Sequence, residues 1–358
     1  MTMNLTRILM GLTSIAFSAS LYAQATLTQL PAHSGGRVLV TTNEAGEKAY
    51  EYSWPGVYFE TAFEGDSLTL KFDDDQNNFQ LIIDSGEPIA IKKPGKTDYL
   101  VPNLTKGKHR VRLEKISETQ SSSGRFLGFY SDDKPAALPK RKRQIEFIGD
   151  SYTVGYGNIS PSRECTNDEL FNTTNTQLAF GPLVGKHFNA DYQINASSGF
   201  GIVRNYNGHS PDKNLIGLYP FTLHTNHYIY ASNWQPQVIV IGLGTNDFST
   251  QLNENERWKT RAELQQDYVT KYVGFVKSLH SKHPKAQFVL MASDKMEGEL
   301  AGQVGKVLAQ LKADGIKKID SIIFSELDYQ GCHWHPSAND DKLLADLIIK
   351  HLQSKKVW

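Results

Sequence analysis

The sequence predicts two domains of different class, an amino-terminal β-sandwich of jelly-roll type and an α/β domain with a parallel sheet between helices. Three observations carry this. Short β-type runs separated by turn residues fill the first third of the chain, a polar, proline-bearing stretch follows, and the rhythm then changes to strands alternating with long helical patterns. A chain of 358 residues has room for roughly two domains that each bury a core.

The elements follow in order. Arg7 precedes the apolar stretch Ile8 to Tyr22, and the small residues Ala23 and Ala25 stand where cleavage is expected, so residues 1–25 read as a secretory signal peptide. Thr13, Ser14, Ser18 and Ser20 interrupt that stretch, which is short for a span of about 20 residues. No other segment is apolar enough to cross a bilayer, and the expected location is the periplasm or the medium. The sandwich is placed over 26–130, with strands at Arg37–Val40, Val57–Phe63, Ser67–Phe72, Phe79–Asp84 and His109–Leu113. Leu68, Leu70 and Phe72 alternate with polar residues, as a half-buried strand requires, and Gly65-Asp66 and Ser85-Gly86 supply turns.

Residues 131–143 read as a linker whose basic end, Lys140 to Arg143, is a solvated connection without interleaved aromatics. A formal net charge of zero leaves no electrostatic footprint for nucleic acid or an anionic membrane. The α/β domain occupies 144–358. Strands are expected at 144–149, 191–196, 237–243, 287–292 and 319–325, with helices around 175–188, 256–281, 298–313 and 338–353. The continuous apolar runs Val238–Ile241 and Phe288–Met291 fit strands covered on both faces.

The strand Gln144–Ile148 runs straight into Gly149-Asp150-Ser151-Tyr152-Thr153, which sets a serine at the carboxyl end of a buried strand, where open α/β sheets carry their chemistry. Downstream come Ser198-Gly199-Phe200-Gly201, then Gly244-Thr245-Asn246-Asp247, then Cys332-His333-Trp334-His335-Pro336. A lone Gly-Asp-Ser is also an ordinary N-capping turn. Serine, glycine, asparagine and histidine in this order are what acyl transfer demands: a nucleophile, a base and fixed donors for the tetrahedral oxyanion. Ser151 is the expected nucleophile and His335 its base; the Ser151 N–H, an N–H of the Ser198-Gly199 turn and the Asn246 amide are the expected oxyanion donors. Asn246 has the alternative of a local turn contact, and Gly199 that of a positive φ angle alone. No cofactor is needed. No metal site is expected, because His224, His227, His280 and His283 lack ligand spacing and read as surface or satisfied core residues.

Two cysteines, Cys165 and Cys332, flank the nucleophile and base segments. Export permits them to pair, which would tie the two loops together, the alternative being two free buried thiols.

The four blocks resemble the SGNH (GDSL-like) hydrolase superfamily over residues 144–353. Together with the sandwich, Trp54-Pro55-Gly56-Val57, Phe63-Glu64-Gly65, Gly201-Ile202-Val203-Arg204-Asn205 and the Cys-x-Trp-His-Pro block, the chain is similar to carbohydrate esterase family 2. That resemblance implies a carboxylic ester hydrolase removing O-acetyl groups, with a tendency toward the 6-hydroxyl, from acetylated plant cell-wall polysaccharide or oligosaccharide. The superfamily usually has an aspartate two or three positions before the histidine, and here those positions are His333 and Cys332. His335 is therefore expected to be held by a backbone carbonyl of its own loop, with Asp328 as the carboxylate able to reach back. Trp334, Phe248 and Tyr156 are the aromatic candidates for contact with a sugar face, with packing in the core the alternative for each and above all for Tyr156 and Phe248. Two other functions fit the same blocks: an esterase or lipase-like enzyme on other short-chain esters, and a carbohydrate-binding protein with a vestigial catalytic domain.

Overall fold

The computed structural model describes residues 27–224 and 228–358. The leader expected over 1–25 and His227 lie outside the described residues. The first domain is two six-stranded sheets. One runs Leu39–Thr42, Lys48–Tyr52, Gly124–Ser131, Thr69–Asp74, Gly95–Leu100, with Thr28–Gln29 beside Gly124–Ser131; the other runs Lys134–Pro135, Tyr58–Gly65, Gly107–Lys115, Asn78–Ile83, Ile89–Lys92, with His33–Gly35 beside Tyr58–Gly65. All pairings within them are antiparallel. Leu68, Leu70, Phe72 and Phe126 of one sheet meet Phe59, Phe79, Leu81, Val111 and Leu113 of the other in a single core. The period-two alternation puts those residues on one face, and their burial drives the sheets together.

The second domain is a five-stranded parallel sheet of β1 (Arg143–Gly149), β2 (Ala190–Ala196), β3 (Val238–Gly242), β4 (Gln287–Ser293) and β5 (Ile319–Phe324), in the order β2-β1-β3-β4-β5. After β1 comes the single turn α1 (Ser151–Val154). The long helices are α2 (Phe180–His187), α3 (Arg261–Lys282), α4 (Glu299–Ala313) and α5 (Ala338–Ser354). Alternate strand residues feed two cores. Ile239, Ile241, Phe288 and Leu290 pack with α3 and α4, whereas Val238, Val240, Val289 and Met291 pack with α2 and α5. Strand order reverses at β1, so the crevice above the carboxyl ends of β1 and β3 is the topological switch point where such sheets bind ligands.

The expected linker is corrected by the structure. Lys134–Pro135 extends the sandwich by pairing with Tyr58–Gly65, and Arg141 is not solvated. Its guanidinium donates to both oxygens of Glu60, at 2.5 and 2.7 Å, and to Asp191 Oδ1 at 3.2 Å. Glu60 is buried where the domains meet, and a buried carboxylate requires cationic partners. Arg112 supplies the second one, at 2.7 Å. The two domains share more than this. Trp54 of the sandwich is part of the α3/α4 core and Tyr58 part of the α2/α5 core, both fully buried.

Candidate active site

Ser151 opens α1 directly after β1. Asp150 caps that turn, its carboxylate accepting the Tyr152 N–H at 3.1 Å. Gly149 is required at the strand end, because a Cβ there would lie 1.9 Å from Thr153 Oγ1. Ser151 Oγ lies 2.9 Å from His335 Nε2. The other ring nitrogen, Nδ1, lies 3.0 Å from Cys332 O and 3.2 Å from His333 O. Carbonyls only accept, so Nδ1 carries the proton and Nε2 presents its lone pair to Ser151. Among the described residues no carboxylate is part of this arrangement: Asp328 instead accepts the Gln330 N–H at 2.9 Å. Burial drives the His335 pKa down to about 4, against the opposing pull of the two carbonyls. The imidazole is therefore neutral near pH 7, the state a general base requires.

The loop that carries His335 is bent in an unusual way. His333 and Trp334 both have positive φ, +52° and +58°, a conformation costly for bulky side chains. Neighbours hold it. Cys165 and Cys332 are disulfide-bonded, Arg163 O accepts the His333 N–H at 2.6 Å, and the Arg163 guanidinium donates to Tyr329 O and Asp328 O, each at 2.8 Å. Four contacts from the segment after α1 thus position the loop bearing the base.

Across the crevice, Gly199 follows β2 with φ +82°. Neither its N–H nor that of Ser151 has an acceptor among the described residues. Asn246 is the second residue of the helical turn Thr245–Phe248 after β3, and its amide Nδ2 donates to Phe200 O at 2.9 Å and lies 3.4 Å from Asp150 Oδ2. Asp247, which sequence reasoning passed over, fixes the two loops to one another: its buried carboxylate accepts the N–H groups of Ile202, Val203 and Arg204 at 3.0, 2.8 and 2.9 Å. The structure thus brings Ser151, Gly199, Asn246 and His335 to one crevice from four separate loops.

The aromatic candidates divide. Trp334 is 54% exposed beside His335. Tyr156 is half-buried with its ring 4.2 Å from the His335 ring and its hydroxyl 3.1 Å from His333 Nδ1. Phe248 is a correction: at 2% exposure it packs edge-on against Tyr268 in the α3/α4 core, because the turn Thr245–Phe248 directs that side chain inward. Tyr206, 52% exposed, was not anticipated; its N–H donates to Gly199 O at 2.9 Å. His224 also departs from expectation. It is wedged 4.2 Å from Trp54, and its Nε2 finds no hydrogen-bond partner among the described residues.

A cavity of about 740 Å³ lies at the opposite, amino-terminal end of the sheet, lined by His33, Gln144, Asp191 and Tyr230, and contains neither Ser151 nor His335. Among the described residues no group of three or more His, Cys, Asp or Glu is placed to hold a metal ion. No helix there is long and apolar enough to cross a membrane.

Residues 35–140 match the family model described as carbohydrate esterase 2 N-terminal, and residues 145–348 match that of GDSL-like lipase/acylhydrolase. An acetylxylan esterase / glucomannan deacetylase of Cellvibrio japonicus is 66% identical over 97% of this chain and 98% of its own. A solved carbohydrate esterase, whose active site is described as having divergent catalytic and non-catalytic binding functions, superposes with a TM-score of 0.89 at 66% identity, over 92% of this chain and all of its own. A family two carbohydrate esterase from Clostridium thermocellum, solved with cellohexaose, superposes with a TM-score of 0.78 at 27% identity over 92% of this chain and all of its own. A Ser–His pair at the switch point of a parallel sheet, an N-terminal sandwich packed against it and matches to both family models along the chain lead to one conclusion: this chain belongs to carbohydrate esterase family 2 and is a carbohydrate esterase.

Proposed function

We propose that this esterase removes O-acetyl groups from acetylated xylan or glucomannan, including those on the 6-hydroxyls of glucomannan's hexosyl units, through an acetyl-enzyme on Ser151. The observation that carries the reading is the 2.9 Å contact between Ser151 Oγ and a neutral His335 Nε2 whose Nδ1–H is occupied by carbonyls. Ser151 Oγ attacks the acetyl carbonyl as its proton passes to Nε2; the oxyanion is met by the N–H groups of Ser151 and Gly199 and by the Asn246 amide; the sugar hydroxyl leaves with the proton. Water then repeats the steps and releases acetate. Trp334, exposed beside the base, offers an apolar plane to a pyranose ring. The names of the 66% identical relative and the cellohexaose bound by the C. thermocellum enzyme support a plant polysaccharide as substrate. Export through the leader at 1–25 would bring the enzyme to such polymers.

Purified enzyme and Ser151→Ala should be compared on acetyl, butyryl and octanoyl 4-nitrophenyl esters, then on acetylated glucomannan and xylan, with NMR locating the acetyl groups lost. Acetyl esters and acetylated polymer should be cleaved best, and the variant should lose several orders of magnitude in kcat. Preference for octanoyl esters, or a variant that keeps about a tenth of the activity, overturns the reading.

A further inference from the structure

The Gly199 N–H, the oxyanion donor that the proposed mechanism needs from β2, belongs to a peptide with little of its own to hold it. Ser197 O accepts the Phe200 N–H at 3.2 Å, so residues 197–200 form a turn, and φ +82° at Gly199 makes it type II. Type I and type II turns differ by a flip of their central peptide, here Ser198–Gly199. Glycine raises no steric objection to the flip, and a Cβ at Gly199 would meet nothing within 4 Å. A flip would reverse the Gly199 N–H and remove it from the role the proposed mechanism gives it.

What opposes it comes from the sandwich. The loop between the strands Gly107–Lys115 and Gly124–Ser131 reaches over this turn with two side chains. Glu118 Oε1 accepts the Ser198 N–H at 2.8 Å. Gln120 Nε2 donates to Ser198 O at 2.9 Å and to Glu118 Oε1 at 2.9 Å. In a planar trans peptide the C=O and N–H point in opposite directions. The Gln120 bond to Ser198 O therefore fixes the direction of the Gly199 N–H, and it polarises that N–H toward a developing negative charge. The loop is itself anchored. Buried Lys115 donates to Ser117 O at 2.9 Å, and Thr119 Oγ1 donates to Asn77 Oδ1 at 2.8 Å.

We propose that Glu118 and Gln120 are positioning residues for catalysis, through which the β-sandwich holds the oxyanion-hole peptide Ser198–Gly199 in its productive orientation. The inference rests on the acyl-transfer reading above and extends it to a domain that contains neither nucleophile nor base. It predicts a kinetic signature, since the oxyanion exists only in the transition state.

Gln120→Ala, Glu118→Ala, Glu118→Gln and Ser151→Ala, each in the full chain, would be assayed for kcat and KM on 4-nitrophenyl acetate, for the rate of inactivation by a diethyl 4-nitrophenyl phosphate, and for Tm. Gln120 is exposed and Glu118 half-buried, so all should fold. Gln120→Ala and Glu118→Ala should lower kcat by about 10-fold or more, short of the 10²–10³ lost with a whole donor, with KM changed less than about twofold. Inactivation, which places charge on the same donors, should slow in parallel at unchanged Tm. Glu118→Gln, which keeps an acceptor for the Ser198 N–H, should recover most of the rate. Wild-type kcat in both alanine variants while Ser151→Ala is inactive overturns the clamp alone. So does a kcat loss that comes with lowered Tm and raised KM, which marks a mere scaffold. Retained activity in Ser151→Ala overturns the acyl-transfer reading and the clamp with it.

Discussion

At the scale of single residues, His335 works without the carboxylate that usually holds such a base. Two carbonyls fix its tautomer, and carbonyls carry no net charge to stabilise an imidazolium. Desolvation therefore dominates, and the pKa falls to about 4 from an ordinary value near 6.5. The direction is clear. A lowered pKa keeps the catalytically competent neutral form present as pH falls, until pH passes the folded value. kcat/KM should lose its His335-dependent activity only below about pH 5, and a histidine-labelled NMR titration, assigned with His335→Asn, should show the imidazole titrating well below 6. A midpoint at or above 6.5 would mean that a carboxylate or water reaches the ring. Asp150, next to Ser151, is pushed the other way, up to about 7, by burial with the Asp247 charge adding to it. A limb near neutrality in the same pH profile would report that group. Ser151, His335, Asn246 and Gly199 were legible in the sequence because each sits in a short block at a strand end. The direction of Phe248 was not legible, because a hydrophobic residue at i+2 from Asn246 has no local mark of which way a four-residue turn will point it.

At the scale of elements, the loop bearing the base is strained and is restrained by a strap. The disulfide joins residues 167 apart in sequence, a loop whose closure entropy amounts to about 5 kcal/mol in the chain-entropy model. Reduction, or Cys165→Ser with Cys332→Ser, should lower Tm by several degrees. It should also lower kcat at temperatures well below that Tm, because His333 and Trp334 are then free to relax from positive φ and carry His335 away from Ser151. Activity unchanged below Tm would show that the Arg163 contacts alone suffice. The parallel strands and α3 to α5 were legible in the sequence from apolar runs and long helical periodicity, with ends displaced by a few residues at most for strands. Five of the sandwich strands were legible as short alternating runs, whereas Lys48–Tyr52, Gly95–Leu100 and Gly124–Ser131 were among those that were not. Lys134–Pro135 was not, since two residues containing a proline carry no strand signal and pair only because Tyr58–Gly65 has a free edge. Glu118 and Gln120 were equally hidden. Their contacts span 78 to 80 residues of sequence, and nothing local marks them.

At the scale of the whole molecule, the sequence reads as two domains joined by a linker, and the structure is two domains whose cores interpenetrate. Trp54 donates its indole N–H to Phe221 O at 3.3 Å within the α3/α4 core. Arg37, 1% exposed, donates to the carbonyls of Tyr219 and Phe221, lies 3.3 Å from Glu146 of β1 and stacks 4.3 Å over the Tyr219 ring. Glu146 is itself buried, so without Arg37 its carboxylate would be a charge inside the protein with only the Asn195 amide and the Tyr219 hydroxyl beside it. Loss of the Trp54 side chain alone should cost about 3–5 kcal/mol. Residues 144–358 expressed by themselves should therefore fail to fold cooperatively, and the full chain should unfold in one transition, with calorimetric and van't Hoff enthalpies equal and esterase activity lost at the same temperature. Two resolved transitions, with activity surviving the first, would show that the α/β domain stands alone and that the sandwich is an appendage rather than part of the enzyme.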